Sequence, residues 1–393
     1  MPFSNNAQKS MLPNVIEFLS TQPLLGTDDA SLSIWKAGCE LSWDQLAKQY
    51  LSPKEAAHGA EILSTLLTSY RDLARLVAAK QYESAASWTT EKRLAALARL
   101  CDAHQIEQRT EQWYMDAMNL LTASQFSTIM KPGRTRGQLV LDKATGNVDT
   151  SNRPTVCTTN SLNPFMWGIR FEPLVKEIYQ ALTQTKVREM GRLRHRSDKH
   201  LAASPDGLVT EGPPERLGRF VEFKAPVSRV IVDKVPDDYM TQMQIQMEVG
   251  DVEECDYLEV KFNSLYQSKL ELATQPVGTR AKPVFYGKIF LLEKPHEEGK
   301  NYRYAYSPLN TIAWKPTLED GEDIAEEIPW WTDTWFLTTV GRSRTWFELM
   351  KPLMEEFWRD VALAREGKYT LPASTRKPRE AACKIVEDTG ETA

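Results

Sequence analysis

The apolar positions of this chain recur with helical spacing in one stretch near its middle. The spacing predicts a helix over residues 163–182 with one buried face. Its core-facing positions are Leu174, Val175, Ile178 and Leu182. Asn163 is a good N-cap, and Pro164 suits the first helical position. Pro173 should disturb the helix directly after Glu172, because proline lacks the backbone N–H that a helix uses.

A second helical pattern covers residues 239–249. Its apolar stripe, most simply explained as core packing, consists of Met240, Met243 and Met247. On a helix Tyr239, Gln242 and Gln246 lie within about 60° of each other, beside that stripe. A glutamine amide can hold a water molecule or a phosphate oxygen without adding charge, so Gln242 is a candidate site residue.

Three apolar stretches in the second half of the chain predict strands. They are residues 218–225, 257–262 and 284–292. A turn-forming stretch at 211–214, with one glycine and two prolines, separates Asp206 from Glu222 and predicts a β-hairpin between them. With the helices, these strands predict an α/β core, a mixed sheet flanked by helices.

The hairpin carries the candidate chemistry. Because side chains alternate along a strand, Glu222 and Lys224 point the same way and Phe223 points into the core. Mg²⁺ is usually held by one or two carboxylates plus a substrate phosphate. Asp206 and Glu222 can supply the two carboxylates. The metal acidifies a bound water, which a lysine can orient or deprotonate. The segment around Asp206 alone is an ordinary turn, and the segment from Glu222 to Lys224 alone is an ordinary strand. Together they indicate a hydrolytic site.

Glu172 is a further candidate on the first helix. Gly168 precedes it by four residues, so both share a helix face and something bulky can approach the glutamate. Taken alone, Glu172 is most simply a surface glutamate.

Four motifs occur in an order that is typical of one nuclease family. They are Trp-Gly-x-x-x-Glu-Pro at 167–173, Ser-Pro-Asp-Gly at 204–207, Glu-x-Lys at 222–224 and Tyr-x-x-Gln-x-Gln at 239–244. The chain resembles the lambda exonuclease or YqaJ branch of the PD-(D/E)XK nucleases. Versions from large eukaryotic DNA viruses also share Thr-Ala-Ser-x-Phe, here 122–126, and two later pieces, here 242–249 and 255–259. The motifs cover roughly residues 107–262.

The resemblance implies a restriction-endonuclease-like core and a role for each matching residue. Asp206 and Glu222 would be ligands of Mg²⁺, or of Mn²⁺, and Glu172 would support the metal directly or through water. Lys224 would be the catalytic lysine. Gln242 would position the nucleophile or Lys224.

The family's usual activity is Mg²⁺-dependent 5′→3′ digestion of one strand of linear duplex DNA. Ser124 and Ser204 would contact the 5′-phosphate at the strand end. The implied partners are double-stranded DNA ends and a single-strand annealing protein that receives the tail for recombination. Lambda exonuclease is a ring-shaped trimer, and whether this chain forms a homo-oligomer stays open.

One position departs from the family pattern. Lambda exonuclease has an arginine seven residues before the serine of Thr-Ala-Ser, and here that position is Ala117. The candidates to replace it are Arg109, Lys131, Arg134 and Arg136. Dependence on a 5′-phosphate and processivity therefore stay open.

Charge does not decide the function by itself. The net charge is −5, so a DNA-binding surface must be concentrated locally. The basic stretch 186–199 is the best candidate, and it contributes Arg192, Arg194 and Arg196 as predicted DNA contacts. A solvated loop and strand face is the alternative.

The chain divides into four predicted regions. Residues 1–105 form an accessory helical region, with a strongly amphipathic stretch at 62–79, and 106–310 form the nuclease core. Residues 311–370 form a tryptophan-rich extension that packs on the core, and the polar tail 371–393 is expected to be disordered.

Five scattered cysteines without a C-x-x-C spacing argue against a zinc site or a disulfide framework and suit a reducing compartment. We see no secretory signal and no stretch apolar enough to span a membrane, so we expect no membrane partner. The expected location is intracellular: the host cytoplasm, viral factory or nucleus if the source is a virus.

The sequence thus predicts a metal-dependent DNA exonuclease. An endonuclease or RNA nuclease on the same core is one alternative. The other is a DNA-end-binding recombination factor with little cleavage, which the missing arginine and the large N-terminal region motivate.

Overall fold

A computed structural model describes residues 15, 29–65, 67, 88–131, 133–146, 155–264, 282–296 and 299–373. Most of the amphipathic stretch predicted at 62–79 lies outside the described residues. So does the tail from residue 374 onward.

The chain divides into two compact units. One comprises Met1–Thr89 with Gly341–Leu349, and the other comprises Thr90–Val340 with Met350–Ala393. In the first unit, helix α1 (Asp29–Tyr50) and the helical residues 53–65 share an apolar core. Its buried members include Cys39, Trp43, Ala47, Leu63 and Leu67.

The second unit alternates helices and strands. Six of its α-helices are α2 (Thr90–Asp102), α3 (Glu111–Asp116), α4 (Ala123–Ile129), α5 (Arg134–Thr145), α6 (Pro164–Thr183) and α7 (Asp237–Gly250). The last described helix of the chain is α8 (Arg344–Arg365). The short strands are β1 (Leu121–Thr122), β2 (Lys186–Arg188), β3 (Leu193–Arg194), β4 (Leu201–Ala203), β5 (Gly207–Glu211) and β6 (Phe220–Lys224). The longer strands are β7 (Glu254–Ser264), β8 (Tyr286–His296), β9 (Gly299–Tyr306) and β10 (Asp323–Gly341).

Seven strands form one mixed sheet in the order β2-β5-β6-β7-β10-β8-β9. Strands β5 and β6 pair antiparallel and form the predicted hairpin, whereas β6 and β7 pair parallel across the connecting helix α7. A second sheet has the order β1-β4-β3. The predicted α/β class with a mixed sheet flanked by helices is confirmed, as are the three predicted strands.

Helix α6 covers one face of the seven-stranded sheet. Its buried residues Phe171, Val175 and Ile178 pack in one cluster with sheet residues that include Phe223 and Trp330. Asn163 caps the helix as predicted, accepting bonds from two backbone N–H groups. The expectation that Pro173 would disturb the helix is wrong, since α6 continues to Thr183. Buried contacts on both sides of Pro173 outweigh one lost backbone hydrogen bond.

Two segments lie elsewhere than the predicted regions would place them. Helix α2, from the predicted accessory region, belongs to the second unit. Strand β10, from the predicted extension, lies between β7 and β8 inside the large sheet. Among the described residues, no helix is both long and apolar enough to cross a membrane.

Candidate active site and adjoining cavities

The carboxylate of Glu222 lies at the centre of the predicted site. It is completely buried on β6 and accepts hydrogen bonds on both oxygens. Oε1 accepts from Lys224 Nζ and from Gln242 Nε2 at 2.7 Å, and Oε2 accepts from Gln246 Nε2 at 2.7 Å. The alternation along β6 and the glutamine face of α7 therefore meet at one carboxylate, as their spacing predicts.

Lys224 lies beside three acidic groups. Burial alone would lower the pKa of its ammonium, but the charges of Glu222, Asp206 and Glu172 raise that pKa above its ordinary value. The ammonium also lies 5.0 Å from the ring centre of Tyr239, within range of a cation–π contact. Lys224 is therefore protonated at neutral pH.

Asp206 and Glu172 complete the acidic group. Asp206 follows β4, and its Oδ2 accepts the backbone N–H of Phe223 at 2.7 Å, which ties the two arms of the hairpin together. Glu172 lies on α6, and a Cβ at Gly168 would come within 3.1 Å of its Oε1. The predicted open approach at Gly168 thus leads to the glutamate.

The three carboxylates influence one another electrostatically. Burial and the charge of Asp206 raise the pKa of Glu222 to about 7. The same two causes raise the pKa of Glu172. Among the described residues, Lys224 and Arg109 partly compensate this negative charge. A bound cation would relieve the remainder.

The residues present fit a divalent cation of the magnesium type. Within the described part of the chain, no group of three or more His, Cys, Asp or Glu side chains is arranged to hold one metal ion. Mg²⁺ does not need such a group, because it is usually bound by one or two carboxylates, water and a substrate phosphate. Asp206 and Glu222 would hold the ion, with Glu172 close enough to share charge with Asp206.

A cavity of about 440 Å³ opens beside Asp206 and Gln242, and we call it the first cavity. Ser124, Ser204 and Arg192, which the sequence analysis proposed as DNA contacts, all line it. This cavity unites residues from α4, the segment before Asp206 and the basic stretch, which are far apart in the sequence.

The guanidinium of Arg192 places a buried positive charge beside the first cavity. Its side chain is 1% exposed, and its Nη1 donates to Trp113 O and lies 3.5 Å from Asp116 Oδ2. Its Nε and Nη2 are buried and have no hydrogen-bond partner among the described residues. Buried donors without partners are costly. Because neither atom is exposed, Arg192 would favour an anionic ligand in the first cavity through its positive charge.

Trp113 holds two members of the first cavity in place. Its ring centre lies 4.3 Å from the Arg192 guanidinium, and its Nε1 donates to Ser204 Oγ at 3.1 Å. A single tryptophan gave no periodic or motif signal, so the sequence analysis did not identify it.

Lys143 is the second cation of the first cavity, and the sequence analysis missed it. It is 5% exposed, and its Nζ donates to Ala117 O at 2.7 Å. Burial and the charge of Arg192 lower the pKa of Lys143 to about 8. Gly137, Val140 and Lys143 form the buried stripe of α5 at intervals of three, so a lysine on an apolar stripe was the available signal.

The other basic candidates do not line the first cavity. Arg136 pairs with Asp360 at 2.6 Å, and the Arg134 guanidinium lies 3.5 Å from Pro372 O. Arg194 pairs with Asp116 and is half exposed, and Arg196 is exposed. Their predicted contacts with DNA stay predictions.

Comparison with known proteins agrees with the motif order. Residues 106–253 match the family model of the YqaJ-like viral recombinase domain. The resemblance inferred from the sequence is thereby confirmed, and the matched residues include the acidic group and Lys224.

Individual proteins that are similar to this chain share low sequence identity with it. An uncharacterized protein of Acanthamoeba polyphaga mimivirus is 29% identical over 171 residues, which span 40% of this chain and 30% of the mimivirus protein. An alkaline exonuclease of Laribacter hongkongensis has 15% identity and a TM-score of 0.39, over 66% of this chain and 95% of that one. A phage-related exonuclease of Haemophilus somnus has 12% identity and a TM-score of 0.31, over 64% and 95%.

Proposed function

We propose that this protein is a metal-dependent nuclease that digests one strand of linear duplex DNA from its 5′ end. The observation that carries the proposal is the convergence of Asp206, Glu222 and Lys224 beside a cavity whose buried arginine has unpartnered donors. The match to the YqaJ-like family supports a nuclease. The single-stranded tail would pass to a single-strand annealing protein for recombination.

The acidic group and Lys224 would act on the scissile phosphate. Asp206 and Glu222 would hold a divalent cation, which would supply an acidified water and stabilise charge on phosphate oxygens. Lys224 keeps its proton beside the carboxylates, so it can donate a hydrogen bond to the attacking water or to a phosphate oxygen. Gln242 and Gln246 fix the two oxygens of Glu222 in place.

The first cavity would hold the terminal 5′-phosphate. Its volume of about 440 Å³ lies within the range of small-ligand sites. Ser124 and Ser204 would supply hydroxyl groups, and Arg192 and Lys143 would add positive charge. Arg192 would thus replace the arginine that lambda exonuclease has at the position of Ala117.

The decisive experiment follows a linear duplex labelled on one strand, with Mg²⁺, for the wild type and Lys224→Ala. We expect stepwise loss from the 5′ end and a rate lower by about 10³-fold in the variant. The control is Lys300→Ala, which removes an exposed lysine that pairs with Glu293 on the outer strands. Digestion that does not depend on Lys224 would contradict the proposed site. Circular duplex and RNA substrates test the endonuclease and RNA nuclease alternatives.

The anion role of Arg192 is tested by the preference for a 5′-phosphate over a 5′-hydroxyl end. Arg192→Gln should lower this preference by about tenfold, since it removes a positive charge beside the first cavity. Arg303→Gln is the control, because Arg303 pairs with Glu322 and does not line the first cavity. Equal effects of the two substitutions would refute the role of Arg192.

A further inference from the structure

Asp206 lies at the junction of two cavities. The second cavity has a volume of about 630 Å³ and shares Gln108 and Asp206 with the first cavity. Glu172 also lines it. Its basic lining residues are Arg109, Lys176 and Arg188. A ligand that bridges both cavities would therefore pass Asp206.

The backbone of Arg109 has an unusual conformation. Its φ is 67°, in the left-handed region where a Cβ crowds the following carbonyl oxygen. Residues other than glycine, asparagine and aspartate seldom adopt it, and such strain is often found at functional sites. Contacts with the surroundings must therefore stabilise this backbone conformation of Arg109, and its strain suggests that the residue has a function.

Hydrogen bonds on both sides supply the support. Gln108 Nε2 donates to Met190 O at 2.8 Å and to Pro205 O at 3.1 Å, which fixes the loop next to Asp206. On the other side, Thr110 Oγ1 donates to Glu107 O at 2.8 Å and accepts from the backbone of α3. The loop is thus held in one conformation, with Arg109 between its two anchors.

The guanidinium of Arg109 lies next to the acidic group. Its Nη2 donates to Glu172 Oε2 at 3.1 Å, and its side chain is 52% exposed. Glu172 is its only hydrogen-bond partner among the described residues. Because a guanidinium carries five N–H donors, Arg109 keeps donors for an anion in the second cavity.

The other lysine and arginine residues of the second cavity contact groups outside the acidic group. Lys176 pairs with Glu189 at 2.9 Å, and Arg188 Nη1 donates to Cys101 O at 3.4 Å. Among the lysine and arginine residues that line the second cavity, Arg109 is the one that pairs with the acidic group, at Glu172.

We propose that Arg109 binds the phosphodiester on the 3′ side of the scissile bond in the cleaved strand. This inference rests on the proposed function. If the 5′-terminal phosphate occupies the first cavity and the scissile phosphate lies at Asp206, the next nucleotides leave past Asp206 into the second cavity. There the donors of Arg109 meet a phosphate, for which the planar guanidinium is well suited.

Binding of modified duplexes tests the contact without relying on cleavage. The probe is a 5′-phosphorylated duplex with Mg²⁺, measured by fluorescence anisotropy in the Lys224→Ala background so that the substrate survives. One uncharged methylphosphonate is placed at the second linkage from the 5′ end, or ten linkages further on as a control. Arg109→Ala should weaken binding of the unmodified duplex by about tenfold.

The predicted signature is that this loss disappears when the second linkage is uncharged. A loss of the same size on both duplexes would overturn the proposal, because Arg109 would then act elsewhere. Arg303→Ala is the matched control, since Arg303 is similarly exposed and pairs with one carboxylate, Glu322, away from both cavities. It should not change binding of either duplex.

A glycine substitution separates the guanidinium from the backbone. Arg109→Gly removes the same group as Arg109→Ala but relieves the strain of the positive φ. Both variants should bind equally weakly, and the glycine variant should have the higher melting temperature. Binding restored to the wild-type level by glycine would overturn the phosphate contact.

Failure of this inference can be told from failure of the proposed function. A wild-type protein that leaves the labelled linear duplex intact would remove the proposed function itself. A wild type that digests the duplex, with Arg109 effects independent of the second linkage, would remove only the Arg109 contact.

Discussion

Two carboxylates without exposed surface lie on neighbouring parallel strands, and their surroundings are opposite. Asp256 on β7 accepts hydrogen bonds from four side chains, two of them arginines, at 2.5–3.0 Å. The donors are Tyr179, Arg216, Arg219 and Thr339. Glu222 on β6 has one lysine and two glutamine amides, and it shares its space with Asp206.

We interpret the difference as that between a structural charge and a charge of the proposed active site. Two arginines compensate the charge of Asp256, so that group links the strands to their supports. The charge of Glu222 is compensated incompletely, because its pKa is raised to about 7 despite Lys224. A protein keeps such an unfavourable carboxylate where a cation or substrate relieves it.

The largest effect on activity is expected at Glu222. Glu222→Gln should lower the rate of digestion by about 10³-fold, since the amide cannot serve as an anionic metal ligand. Its free energy of unfolding without divalent ions should be unchanged or higher at pH 8, because an unfavourable charge is removed. Denaturant unfolding beside a rate measurement checks both, and a strong loss of stability would contradict the comparison.

Asp256→Asn should have the opposite effect, a lower free energy of unfolding with an unchanged rate of digestion. Removing this charge leaves Arg216 without its carboxylate and Arg219 with Glu254 alone, which should cost about 3–5 kcal/mol of unfolding free energy. The remaining folded protein should digest DNA at the wild-type rate. Urea unfolding with activity at low temperature tests this, and a direct loss of activity with unchanged stability would put Asp256 in the site.

Tyr179→Phe is a smaller version of the same test. It deletes one of the four donors to Asp256, a hydrogen bond of 2.6 Å, and keeps the ring in the core. We expect a loss of about 1 kcal/mol in unfolding free energy and no change in cleavage rate. A loss as large as that of Asp256→Asn would show that the tyrosine, rather than the arginines, compensates the carboxylate.

The smallest predicted effect is a pH dependence in the first cavity. Because the pKa of Lys143 is lowered to about 8, its positive charge is lost as pH rises from 7 to 9.5. The preference for a 5′-phosphate over a 5′-hydroxyl end should then fall by about threefold. Lys143→Met should have a low preference that hardly changes with pH. Parallel pH profiles for the two proteins would contradict the role of Lys143.

The same lysine has a predictable effect on stability. Its folded pKa lies below the unfolded value of about 10.5, so the unfolded chain binds more protons between these values. Its destabilising contribution is fully present below pH 8 and is removed as pH rises toward 10.5. Lys143→Met should therefore raise the melting temperature most at neutral pH, which calorimetry at pH 7 and 10 can measure.

Local pattern was sufficient for much of the site. Alternation along β6 placed Glu222 and Lys224 on one face, and helical spacing placed Gln242 and Gln246 together. It failed at Pro173, because packing of α6 against the sheet overrides a local helix breaker. It also gave no means to choose among the basic residues near Ser124.

By itself, the sequence determined the fold class, the hairpin and the resemblance to the YqaJ-like family, and it predicted the members of the acidic group, because these follow from spacings of a few residues and from motif order. Only the tertiary structure decided that Arg192 and Lys143 enter the first cavity, that Arg136 pairs with α8 instead, and that Arg109 meets Glu172. The physical reason is that these contacts join segments far apart in the chain. Which charge becomes buried there depends on packing, which no local pattern encodes.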